Sequence, residues 1–199
     1  MRLINNIIDI QNIGGENEFK LININIVELI EELVTSIIPY LESKNLSLVF
    51  DTNKEDVMMK VDVDKFERII LNLLSNAIKF SKENGEIRIT LKFEEYFYII
   101  IEDEGVGINN EDINSIFEKF VQLDNSLCRK NEGSGIGLAI VKSFVELHNG
   151  KIYVDSIVNI GSRFVLKFPI VKEEYQNNNT FNKNKVKECV EMELSDIYL

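Results

Sequence analysis

Phe66-Glu67-Arg68-Ile69-Ile70-Leu71-Asn72-Leu73-Leu74-Ser75-Asn76-Ala77-Ile78-Lys79-Phe80 carries two stripes at once. Phe66, Ile69, Ile70, Leu73, Leu74, Ala77 and Ile78 recur at the three- and four-residue spacing of an apolar helix face. Asn72, Asn76 and Lys79 fall at i, i+4 and i+7, a single polar line opposite that face. Asn and Lys at such spacing ordinarily mark a solvated surface, so the line gains meaning only from what the rest of the chain sets beside it. Upstream, Asp64 stands as the expected N-cap, with the acid Glu67 three residues on.

Downstream, Ile87, Ile89, Leu91 and Phe93 alternate, Glu94-Glu95 form a turn, and Tyr96 to Ile101 make a second run of β-formers. This hairpin delivers Asp103 at its end. Asp103-Glu104-Gly105-Val106-Gly107-Ile108 then follows a strand, and its glycines let backbone pass close to a flat ligand. Asn109 to Phe117 read as one or two helical turns, and the polar, unperiodic stretch from Val121 to Glu132 as a mobile loop. Gly133-Ser134-Gly135-Ile136-Gly137-Leu138 opens a helix that runs to His148 and is closed by Asn149-Gly150. Free N–H groups at such a helix start can hold phosphate. A dinucleotide fingerprint is excluded because a polar loop, not a strand, precedes the glycines. A Walker A loop is excluded too, since Lys142 lies too far along the helix and no G-K-[ST] occurs. Strands from Lys151 to Ser156 and Ser162 to Phe168 follow, joined by a turn at Asn159 to Gly161 and ended by Pro169.

At the front of the chain, Leu3, Ile4, Ile7 and Ile8 predict a short amphipathic helix stopped by Gly14-Gly15. An extended piece over Phe19 to Ile22 leads to Asn25, an N-cap with Glu28 three residues later. The helix it starts should run through Ile38 and end or kink at Pro39, before a half-buried strand at Leu46, Leu48 and Phe50. Beyond Lys172, Asn177, Asn178, Asn179, Asn182 and Asn184 alternate with charges, too little apolar surface to order alone. Only Val186 to Leu199 regain an amphipathic pattern. The expected organisation is a terminal helix over 1–15, one domain over 19–171 and a polar, largely disordered tail over 172–199. The expected fold is α+β, a two-layer sandwich of a mostly antiparallel sheet covered by helices on one face.

Composition narrows the function. The 199 residues carry 22 Lys+Arg against 33 Asp+Glu, a net charge of −11. Such a balance argues against nucleic acid and against an anionic membrane surface. Apolar residues make up 45% of the chain, enough for a core. Cys128 and Cys189 are too far apart in sequence for a zinc knuckle or redox pair and read as reduced cytosolic thiols. The apolar start is interrupted by Asn5, Asn6 and Asp9, unlike a signal peptide. No run approaches the roughly 18 apolar residues of a membrane span, so a soluble, cytoplasmic chain is expected.

In order and spacing, four boxes resemble the ATP-binding catalytic domain of sensor histidine kinases, in the GHKL superfamily. They are Phe66 to Phe80 (the N box), Asp103 to Ile108 (G1), Ile116-Phe117-Glu118-Lys119-Phe120 (the F box) and Glu132 to Lys142 (G2), with Gly161-Ser162-Arg163-Phe164 completing the set. The resemblance spans about Ile26 to Pro169. It implies ATP and Mg²⁺ as cofactors, with Asn72 a ligand of the metal, Asn76 on metal or phosphate, and Lys79 neutralising phosphate charge. It implies that Asp103 accepts the adenine amino group in a pocket shaped by Gly105, Gly107 and Ile108. It further implies that Phe120, Gly133, Ser134, Gly135, Ile136, Gly137 and Leu138 belong to the lid and phosphate side. Gln122 stands where family members often carry Arg, which leaves that contact to Arg129 or Lys130.

Chaperone and mismatch-repair ATPases of the superfamily place a water-activating glutamate where this chain has Asn72, which cannot take a proton. The resemblance therefore points to phosphoryl transfer onto a protein side chain rather than to water. The implied partners are a histidine-bearing dimerisation domain and, downstream, a response regulator. Met1 to Ile13 resembles only the last turns of that dimerisation domain, as in a truncated product or a fragment of a longer sensor. The one histidine, His148, matches a position with no acceptor role and reads as a capping or packing residue. The isolated chain is thus expected not to phosphorylate itself. The alternatives are a serine kinase of the anti-sigma type and a non-catalytic nucleotide-binding module docking on a full-length kinase.

Overall fold

The computed structural model describes residues 19–122, 135–170 and 180–197. The expected terminal helix, most of the loop after Val121 and the last two residues lie outside them. Strand β1 (Ile22–Asn25) leads into helix α1 (Ile26–Ser36), whose N-cap is Asn25. The Asn25 side chain accepts the N–H groups of Val27 and Glu28, and also that of Val57. At Ile37 the helix breaks into a short α2 (Ile38–Glu42) with Pro39 in its first turn, where a missing N–H costs nothing.

Strands β2 (Ser47–Thr52) and β3 (Met58–Val61) precede the long α3 (Val63–Phe80). Its cap is Asp62 rather than Asp64. The Asp62 carboxylate accepts the Lys65 N–H and the Lys20 N–H and pairs with Lys65 Nζ at 2.7 Å, while Asp64 faces outward to Lys185. After the hairpin β4 (Glu86–Phe93) and β5 (Tyr96–Asp103), a single 3-10 turn covers Ser115–Phe117. Helix α4 (Gly137–Leu147), strands β6 (Lys151–Ile157) and β7 (Gly161–Pro169), and helix α5 (Lys183–Glu193) complete the order.

The main sheet runs β2-β4-β5-β7-β6, with β2 parallel to β4 and every other pair antiparallel; β1 and β3 form a separate antiparallel pair. Inward residues Ile87, Ile89, Leu91, Phe97, Ile99, Ile101, Phe164, Leu166 and Phe168 meet the apolar stripe of α3 in one continuous core. The architecture is the expected two-layer α+β sandwich. The β3 strand and its pairing with β1 were not expected from sequence, because MMKV is too short to show alternation. Within the stretch expected to be a polar tail, α5 instead docks on α1 and α3. Val186, Val190 and Leu194 are buried there, and Lys183 bridges to Glu28 and Glu32. Three apolar residues on one face suffice because a ready-made groove receives them. Among the described residues no helix is long and apolar enough to cross a membrane.

Candidate functional site

The polar stripe of α3 is not a solvated face. Asn72 is 1% exposed and Lys79 7%, with Asn76 half-buried. Burying an amide and an ammonium is costly unless they are used. Asn72 Nδ2 donates to the Arg68 carbonyl at 2.8 Å, one turn back. Its Oδ1 faces Gly137, where a Cβ would come within 2.6 Å of it. The start of α4 thus approaches the middle of α3 through a position that only glycine leaves open.

The C-terminal end of α3 meets the Asp103 loop. Ser81 bridges to Gly105 and Val106 N–H donates to the Phe80 carbonyl at 3.1 Å. A Cβ on Gly105 would stand 2.4 Å from Asp103 Oδ1 and 2.5 Å from the Phe80 oxygen. Gly107 turns the loop with φ +69°, and its missing Cβ admits the Ile157 carbonyl. Asp103 closes β5 with a carboxyl group whose Oδ1 is buried and has no hydrogen-bond partner. Burial raises its pKa to about 6, with the amides of Gly105 and Ser162 pulling the other way. Asp103, Glu104, Gly161 and Ser162 are among the residues lining an open cavity of about 650 Å³, which Asn72, Asn76, Lys79, Gly105 and Gly107 do not line.

The remaining expected residues divide. Gly135 (φ +66°), Ile136, Gly137 and Leu138 form the entry to α4, with Ile136 fully buried and Leu138 packed against the core. Ile108 is half-buried behind Gly107. Phe120 is 67% exposed, and its N–H donates to the Gly135 carbonyl at 2.8 Å, pinning together the two ends of the intervening loop. The F-box aromatic that packs on the core is Phe117. Arg129, Lys130, Gly133, Ser134 and Cys128 lie outside the described residues. His148 is buried, with Nδ1 2.7 Å from the Phe144 carbonyl and Nε2 accepting the Asp62 N–H at 3.1 Å.

Sequence reasoning did not single out Ser156, whose hydroxyl holds the Ile108 N–H at 2.8 Å. Nothing local marks it, since its partner lies 48 residues away. It also passed over Lys82, whose ammonium reaches the Asn159 carbonyl on the β6–β7 turn.

The region thus brings together a buried acceptor oxygen without a hydrogen-bond partner, a glycine loop approached closely by neighbouring backbone and, on one helix, a buried amide and ammonium. The chain belongs to the histidine kinase-, DNA gyrase B- and HSP90-like ATPase family, whose model matches residues 61–172. Within that family its relatives are histidine kinases. It is 32% identical to hybrid signal transduction histidine kinase D of Dictyostelium discoideum over 94% of this chain and 13% of that protein. The catalytic domain of histidine kinase ThkA superposes with a TM-score of 0.66 at 28% identity, over 75% of this chain and 95% of that one. ThkA in complex with the response regulator protein TrrA is also similar, at TM-score 0.65 and 26% identity over 84% and 47% of the chains. Full-length ShkA in complex with AMPPNP gives 0.74 at 25% identity, over 84% and 35%. The chain spans less than a third of the length of the curated relatives it matches.

Proposed function

We propose that this chain is the ATP-binding catalytic part of a cytoplasmic two-component histidine kinase, passing the γ-phosphoryl group of Mg²⁺-ATP to a histidine on a separate dimerisation domain. The carrying observation is Asp103: a buried carboxyl oxygen without a partner, beside a glycine loop, asks for a donor such as the exocyclic amine of adenine. Gly105, Gly107 and Ile108 would shape that base pocket. The match to an AMPPNP-bound kinase supports the same assignment.

The phosphates would lie toward Asn72, Asn76 and Lys79 and the entry to α4 from Gly135 to Leu138; the family resemblance assigns Gly133, Ser134 and Arg129 or Lys130 to the same group. Lys79 brings a positive charge to a chain of net charge −11. Asn72 offers an amide oxygen, the hard donor type Mg²⁺ takes, and Mg²⁺ typically binds through few protein ligands plus substrate phosphates. The ion, when bound, neutralises and orients those phosphates. Asn72 cannot accept a proton, so nothing at that position activates water, and positioning an acceptor in line becomes the main source of rate.

That acceptor must come from elsewhere, because His148 already spends both ring nitrogens on backbone groups. The phosphorylated domain would then serve a response regulator, the kind of partner found with ThkA. The test is transfer of radiolabel from γ-labelled ATP to a supplied helical-hairpin histidine domain in the presence of Mg²⁺. Acid-labile, base-stable label on that domain is expected. Label on serine of another protein, or ATP binding without transfer to any supplied domain, would replace this proposal.

A further inference from the structure

The loop that carries the candidate adenine site, Glu104 to Ile108, has no ladder of its own. Glu104 is tied to Glu86 and Lys82, and the stretch from Val106 to Ile108 is held from three directions. Phe80 at the end of α3 takes the Val106 N–H, and the Asn159 N–H on the β6–β7 turn donates to the Val106 carbonyl at 2.7 Å. Ser156, on the outermost strand β6, takes the Ile108 N–H at 2.8 Å.

Ser156 does more than accept. Its own O–H faces the Gly161 carbonyl at 2.8 Å, with Ser162 Oγ at 3.2 Å as the alternative acceptor. A hydroxyl has one proton and two lone pairs, so taking Ile108 and giving to Gly161 are compatible. Gly161 in turn lies directly on Asp103: a Cβ there would fall 1.8 Å from the Asp103 carbonyl oxygen. The register repeats the connection, pairing Ser156 with Ser162 and Ser162 with Asp103 across β6, β7 and β5. One side chain therefore ties Ile108, at the far end of the glycine loop, to the residue seated on Asp103 at its near end.

We infer that Ser156 is a positioning residue for the nucleotide base, setting the separation between the Asp103 acceptor and the Gly107 corner by holding Ile108 and Gly161 with one hydroxyl. This rests on the ATP-site proposal above. Gly107 lies within that span in a left-handed conformation against the Ile157 carbonyl, so slack at Ile108 passes straight to the loop wall that faces the base. A bland alternative is a serine that merely stabilises a β-turn. It differs in one respect: a turn stabiliser changes the folding midpoint without changing a local opening rate at the glycine loop or the affinity for nucleotide.

The experiment compares wild type with S156A, S156T and D103N, by Mg²⁺-ATP calorimetry and by hydrogen exchange of peptides covering 104–108 in the nucleotide-free protein. S156A is expected to weaken ATP by about three- to tenfold, the worth of one hydrogen bond. It should also speed exchange in that loop while α4 peptides stay unchanged, and S156T, which keeps the hydroxyl, should restore both. S156A within twofold of wild type in affinity, or faster exchange spread evenly over the molecule, overturns the inference. Should S156A fail to fold, S156C replaces serine with a near-isosteric, weakly bonding thiol and is read by the same two criteria. Wild type that binds no ATP, or D103N that binds as well as wild type, counts against the ATP-site proposal instead.

Discussion

Glu67 on α3 accepts a hydrogen bond from the thiol of Cys189 on α5, at a place where the carboxyl is 1% exposed and its Oε2 has no partner. Burial lifts the Glu67 pKa to about 7 and the Cys189 thiol to about 12; Asp64 also raises the carboxyl, while the thiol hydrogen bond and Lys185 lower it. Next in sequence, Arg68 reaches Glu193 of α5 at 3.5 Å, and its carbonyl holds the Asn72 side chain. Helix α5, beyond the residues matched by the family model, is thereby attached to the turn of α3 that orients Asn72.

The attachment should be proton-linked. A carboxyl whose folded pKa is raised stabilises the folded state fully below its unfolded value, about 4.3, and that contribution is lost as pH rises through about 7. Exchange protection in 183–193 should therefore fall as pH rises from about 4.3 to about 7 and level off above it, and Glu67→Gln, which mimics the protonated acid, should flatten the dependence. An unaltered slope in Glu67→Gln would show that another group titrates.

His148 should act at the opposite end of the pH scale. Burial lowers its pKa below the ordinary 6.5, and its Nε2 must stay unprotonated to accept the Asp62 N–H. A depressed histidine contributes stability above its unfolded pKa that is lost as pH falls below it. Thermal midpoints should drop on acidification below about 6.5, less so in a variant lacking the imidazole. The same bonding predicts no acid-labile, base-stable phosphate when the 199-residue chain is incubated alone with ATP. Label that vanishes on removing His148 would contradict this.

Asp103→Asn keeps the shape but puts a donor amide where an acceptor is needed. Its ATP affinity should fall by on the order of 1–3 kcal/mol, read by calorimetry at neutral pH. In wild type the same affinity should decline as pH drops through about 6, because protonation removes the carboxylate acceptor. Equal affinity in wild type and variant would take Asp103 out of the base pocket.

Gly105→Ala should be harsher on binding than on folding. Its Cβ would press on Asp103 Oδ1 and the Phe80 carbonyl, both within 2.5 Å, so the loop must move off the end of α3. A stability loss of about 1–3 kcal/mol with ATP binding below detection is expected from thermal and calorimetric measurements on one preparation.

Local spacing alone already determined much of this molecule. The stripe from Phe66 to Ile78, the hairpin turning at Glu94-Glu95 and the Asn25 cap depend on neighbours within a few residues and are found where local spacing placed them, while the helix break expected at Pro39 falls at Ile37, with Pro39 in the first turn of α2. The boxed residues were legible for the same reason, as fixed side chains at fixed intervals. Tertiary structure decided what distance in sequence conceals. Asp62 and Asp64 are equally good caps locally, and contacts with Lys20 and with His148, 86 residues away, chose the former. Helix α5 reads as a solvated segment until the groove of α1 and α3 covers its apolar face, and only then does Glu67 become a buried acid. Whether Asn72 lies on a wet surface or in a buried site depends on α4 approaching it at Gly137. Periodicity specifies which way a side chain points along its own helix; burial is set by what the rest of the chain brings to that side.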